Sequence, residues 1–105
     1  MLRSIQRNEE VKSVLQKTMP VARRVLGECD RLTLKIRWTY AMALYMDTGA
    51  TLDALREAAA TLESVAKSWK HVFGQADPET PSLQQTLAAA HKILAAREAL
   101  AARAA

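Results

Sequence analysis

An all-α fold of four helices, joined as antiparallel pairs, is what this sequence predicts, and three observations lead there. Ala, Leu, Arg, Glu, Lys and Gln dominate, all good helix formers, while Gly and Pro number three each, too few for a turn-rich β fold. Apolar residues recur at spacings of three and four rather than in alternation. A turn-forming stretch, VLGECDRLT at Val25–Thr33, returns as VFGQADPET at Val72–Thr80, 47 residues further on. A chain of 105 residues is long enough for one core and not for two, so residues 1–105 are expected to form one domain.

The first helix is expected over about residues 5–26, with Val11, Val14, Leu15, Val21, Val25 and Leu26 at helical spacing. Pro20 removes one backbone hydrogen bond and crowds the preceding turn, which predicts a kink or break near Gln16–Met19. Gly27 ends the helix, since glycine tolerates the left-handed conformation beyond a helix C-terminus. Arg23 and Arg24 sit in the last turn and suit the negative end of the helix dipole.

The second helix is expected over 32–46, with Asp30 as its cap and Thr33 as a competing one. The turn DTGA follows. The third helix runs over 51–73, with Thr51 as cap, Asp53 in the first turn and Gly74 closing it. Its apolar stripe is Leu52, Leu55, Ala58, Leu62, Val65, Ala66 and Trp69. The fourth helix is expected over 78–103, capped by Asp77 and opened by Pro78, a residue suited to a first turn. Pro81 still falls within that turn, where its missing N–H costs little. Leu83, Leu87, Ala90, Leu94 and Ala101 form its stripe, and fraying is expected at Ala104 and Ala105. Short connections make successive helices antiparallel neighbours.

The 47-residue shift extends beyond the turn. Glu10 falls on Glu57, Leu15 on Leu62, Gly27 on Gly74, Asp30 on Asp77 and Thr33 on Thr80; Thr39, Ala41 and Ala43 fall on Thr86, Ala88 and Ala90. A helix pair repeated at this scale points to a helical solenoid, because one pair cannot bury its own apolar face. The chain resembles the tetratricopeptide (TPR) repeats of the kinesin-light-chain type. The resemblance rests on RRVLGECDRLT and KHVFGQADPET, on YAMALY at Tyr40–Tyr45, and on Leu55, Glu57, Ala58 and Leu62 in LREAAATLESV. It covers nearly the whole chain, in the order second helix, full pair, first helix, and implies a TPR-like α-solenoid of about one and a half to two repeats. It also implies a protein-binding role, with the first helix of each pair lining a concave surface. Ala41, Ala58 and Ala88 are small where such helices would cross closely.

Charge is uneven. Residues 1–37 hold nine Lys/Arg against four Asp/Glu, about all of the net +4. Such an end attracts nucleic acid, anionic lipid or acidic protein, or is a solvated helix face, the reading preferred here. Arg3, Arg7, Lys12, Lys17, Arg23 and Arg24 are dispersed among acids and do not interleave with aromatics, which disfavours a single-strand nucleic-acid binder.

Catalysis finds little to build on. His71 and His91 fall on different helices, no metal-binding spacing or Gly-rich phosphate loop occurs, and Cys29 has no evident His partner. No catalytic residue, metal or cofactor is expected. The lone cysteine fits a reducing compartment. No apolar run approaches the roughly 20 residues of a membrane span. MLRSIQR has a faint transit-peptide character, broken by Glu9 and Glu10, and a cytoplasmic location is the expectation.

The segment KIRWTYAMALYM, Lys35–Met46, holds one of two Trp, both Tyr and two of four Met. With Leu34, Tyr40, Ala41 and Leu44 facing the core, Lys35, Trp38, Met42 and Tyr45 fall at intervals of three, four and three on another face. By the resemblance this face lines the concave surface, where aromatic and Met side chains offer adaptable contact and Lys35 an anchor for acidic groups. Arg23, Arg24 and Arg31 form the expected electrostatic rim. The competing reading is that a neighbouring helix buries the stripe. The expected function is a non-catalytic protein–protein interaction module, an adaptor or accessory subunit in a larger assembly or a self-associating one. A self-contained four-helix domain is the alternative, with a basic nucleic-acid-binding domain behind it.

Overall fold

The computed structural model describes the backbone of residues 2–47 and 49–104 and the side chains of residues 9–47 and 49–104. The charges of Arg3 and Arg7, Thr48 of the DTGA turn and the fraying expected at Ala105 lie outside the described residues. Four helices follow one another: α1 Leu2–Leu26, α2 Arg31–Met46, α3 Leu52–Phe73 and α4 Thr80–Ala104. No strand occurs among the described residues.

The caps explain where the helices start and stop. Asp30, not Thr33, caps α2, its carboxylate accepting from the Leu32 N–H at 2.9 Å. Thr33 lies inside the helix, wholly buried, and its hydroxyl donates to the Ala22 carbonyl at 3.4 Å. Thr51 caps α3 by accepting from the Ala54 N–H at 3.1 Å. Gly27 (φ 94°) and Gly74 (φ 82°) close α1 and α3, each donating its N–H to the carbonyl four residues back. Both are positive-φ positions, where a residue with a Cβ would be strained.

Three expectations are corrected. Helix α1 runs unbroken through Pro20. Pro20 is exposed, so the carbonyl it leaves without a helical donor is on a side of the helix that water reaches. Helix α4 starts at Thr80 rather than Pro78. Asp77 accepts from the Glu79 N–H at 3.0 Å and its carbonyl from the Thr80 N–H at 3.1 Å, a closed turn that delays the helix. The far end of α4 stays helical through Ala104, where fraying was expected.

The core lies between α2, α3 and α4. Leu34, Tyr40, Ala41 and Leu44 of α2 meet Ala58, Leu62, Val65 and Trp69 of α3 and Leu83 and Ala90 of α4. Leu15 and Met19 of α1 pack against this cluster from outside. Ala41 and Ala58 are wholly buried, as small residues at a close crossing should be, but Ala88 is exposed because α4 has no helix beyond it in the structure. Each helix packs on the next, and α2 also touches α4; among the described residues the backbone of α1 comes close to neither α3 nor α4. The arrangement is therefore open, since a closed four-helix bundle would seat the first helix on the last. It measures 43 × 28 × 21 Å with a radius of gyration of 14.5 Å, against about 13 Å for a compact domain of this length.

Candidate interaction surface

The α2 stripe is less available than its spacing predicts. Trp38 packs edge-on against Trp69, ring centres 5.9 Å apart and planes at 83°, and its indole N–H is buried without a partner among the described residues. Tyr45 packs partly on the core, and burial raises its hydroxyl pKa above the ordinary value. Lys35 is held by Glu79 at 2.6 Å. Met42 is half-buried. The four residues do share one face, but it is turned partly onto α3 and the α3–α4 turn.

Arg31 belongs to a junction between elements. Its guanidinium donates to Asp77 Oδ1 at 2.8 Å and to Glu79 Oε2 at 2.8 Å, and lies 4.1 Å from the Phe73 ring centre and 5.0 Å from that of Trp69. The Trp69 N–H donates to the same Asp77 carboxylate at 3.3 Å. A planar fork that stacks and pairs at once is what distinguishes Arg from Lys. The start of α2 is thereby fastened to the α3–α4 turn. Arg31 holds the Asp77 carboxyl below its usual range, and Lys35, with Arg31 behind it, does the same for Glu79. Arg23 pairs with Glu28 at 3.2 Å, and Arg24 is exposed. The Arg31 side chain, 42% exposed, is as open as that of Arg23 but is engaged by the α3–α4 turn.

A groove of about 680 Å³ opens beside the α1–α2 turn, lined by Cys29, Lys67, Ser68, Lys70, His71 and Val72. Cys29 and His71 thus share a wall, although no hydrogen bond joins them. Arg37 lies behind Cys29; burial first, then Arg23, pulls its pKa below the ordinary value. Among the described residues no group of His, Cys, Asp and Glu could hold a metal ion, and no helix is long and apolar enough to cross a membrane.

The most exposed apolar surface belongs to α1. Val11, Val14, Val21 and Val25 are 41, 61, 47 and 70% exposed, and their spacing puts them on one face with Thr18 between them. The inward face of α1 is a different one, formed by Leu15, Met19 and Ala22. Sequence periodicity grouped Val11, Val14, Leu15, Val21, Val25 and Leu26 into one apolar helix. The signal that separates them is a strict three-four-three-four run of 11, 14, 18, 21 and 25 beside the inward residues. Leu26 and Leu32, 44 and 54% exposed, lie near its C-terminal end.

The two turns do repeat in local geometry. Gly27 and Gly74 share positive φ, Asp30 and Asp77 each accept from the N–H two residues on, and Thr33 and Thr80 are both buried with hydroxyls bonded to a carbonyl of the preceding helix end or turn. No family model matches the sequence, and neither a curated protein nor a solved structure matches it.

Proposed function

We propose that this chain is a non-catalytic protein–protein interaction module, a short helical-repeat domain of TPR-like type that docks through the outer face of α1. The observation that carries this reading is the valine face itself, which is exposed on a helix whose backbone, among the described residues, lies close to α2 and to no other helix. Contiguous apolar patches on soluble chains mark interaction sites. The repeated turn geometry and the stepwise packing of each helix on the next support the repeat reading. An adaptor or accessory subunit of a larger assembly fits these features, and the single exposed Cys29 fits a reducing, cytoplasmic setting.

The α2 face of Lys35, Trp38, Met42 and Tyr45 is the second docking candidate, favoured only by the part of Met42 and Tyr45 left open. Capture from nuclease-treated native extract separates the two. Tagged wild-type chain is compared with Val14→Glu/Val21→Glu and with Met42→Glu. Protein partners kept by the wild type and by Met42→Glu, and lost from the valine variant, support docking through α1. Loss from Met42→Glu alone moves the site to α2, and identical partners for all three overturn both.

A further inference from the structure

We propose that the outer face of α1 is a homodimer interface, two copies of the chain pairing α1 against α1 in antiparallel sense about Thr18. The proposal rests on the docking reading above and names the partner of that surface.

Val11, Val14, Thr18, Val21 and Val25 step by three, four, three and four along the part of α1 whose side chains are described. This is the repeat of a helix–helix seam, which keeps one stripe facing one partner helix. Thr18 does not interrupt it, because its hydroxyl already donates to the Val14 carbonyl at 2.8 Å. The internal repeat shows what such a face is for. A shift of 47 carries the five positions onto Ala58, Thr61, Val65, Ser68 and Val72 of α3. Around Ala58 and Val65 that is the side of α3 on which α2 lies: both are wholly buried, and Arg37 of α2 donates to the adjacent Ser64 at 2.9 Å, while Ser68 and Val72 border the open groove beside Cys29. On α3 the face is covered in part by a helix; on α1, among the described residues, no helix lies on it.

A second copy can cover it in one of two ways. Head-to-tail stacking would set α4 of one copy on α1 of the next. Helix α2 turns Leu34, Trp38, Ala41 and Tyr45 inward, and their counterparts on α4 are Pro81, Gln85, Ala88 and Lys92, all exposed. Those residues are small or polar and offer the valines no apolar complement. The α1 face, by contrast, complements itself, as a two-fold interface must.

Charge selects the antiparallel sense. With Thr18 opposite Thr18 of the second copy, Val11 meets Val25 and Val14 meets Val21. The flank formed by Glu10, Lys17 and Arg24 then meets the same flank of the other copy, setting Glu10 against Arg24 twice and Lys17 against Lys17 once. Among the described residues, neither Glu10 nor Arg24 has an ion-pair partner in its own chain. A parallel pairing would turn this charged flank toward the side of the other copy that α2 covers, leaving the charges unmatched.

Sedimentation equilibrium of the purified chain across about 1–500 µM, the range for a small helix-pair interface, should show mass rising toward twice the 11.6 kDa of one chain. Val14→Glu/Val21→Glu should weaken association at least about 100-fold, since each burial would strand a charge, with helical circular dichroism retained. Glu10→Lys should weaken it about tenfold, and Glu10→Lys/Arg24→Glu should restore it. In a Cys29→Ser background, Val11→Cys chains mixed with Val25→Cys chains should form the mixed disulfide in preference to either symmetric one. A wild-type chain that stays monomeric throughout overturns the dimer, while the docking reading stands or falls on the extract experiment. A dimer indifferent to the valine variant overturns the interface, and a preference for the Val11 homodisulfide overturns its antiparallel sense.

Discussion

Arg31 touches four side chains from two other elements: Asp77 and Glu79 by hydrogen bonds, Trp69 and Phe73 by stacking. Its partners set an acid dependence. Asp77 and Glu79 both have pKa values below their unfolded ones, so the stabilisation they supply is fully present above those ordinary values, about 4. It is lost as pH falls through the lower native values, because the unfolded chain then binds more protons. Asp47 behaves likewise, lowered by the Gly49 N–H and by Lys12, and is independent of Arg31. Arg31→Ala should therefore lower the melting temperature at pH 7 and flatten, without abolishing, its fall between pH 5 and 2. Arg31→Lys should recover part of the charge effect and little of the stacking. Thermal melts across that range check both, and a variant melt parallel to the wild type would rule out the coupling. At this scale the sequence was least legible. Arg31 was readable as a cation near a turn, but its partners are 46 and 48 residues away, and no local pattern reports contacts at that distance.

Helix existence and order were legible because glycine, proline and capping residues act locally. The expected and observed bounds differ by one to three residues, and each difference has a named cause only where a side chain intervenes, as Asp77 does at the start of α4. Gly74 is the sharpest case of local control. With φ 82° and ψ 172° it occupies a region essentially restricted to glycine, while a Cβ there would meet nothing within 4 Å. The cost of Gly74→Ala is thus conformational rather than steric. Urea denaturation should show a loss of about 1–3 kcal/mol, with the slope unchanged. Pro20 is the converse case. A kink or break was anticipated there from the sequence; the helix is not broken and passes through Pro20 on an exposed side.

For the whole molecule, most of the core assignment carried over: Leu34, Leu55, Leu62, Val65 and Trp69 are all nearly or wholly buried, but Ala101, expected on the α4 stripe, is exposed. The candidate surface did not carry over so simply. Aromatic and Met content drew notice to α2, but large apolar side chains are what a core takes first, and Trp38 and Tyr45 are drawn onto it. The valines of α1 have the same composition as a core helix; only the knowledge that α1 has a single neighbour makes them a surface. Periodicity specifies a face and leaves open what lies against it.

That single neighbour has a dynamic consequence. A helix joined to the domain through one interface can come away without breaking any contact among the others, so α1 and the α2–α4 unit need not open together. In native-state hydrogen exchange, amides of α1 should exchange through a partial opening that leaves α3 protected. Whatever covers the valine face would then slow α1 selectively, making its protection a gauge of occupancy rather than of global unfolding.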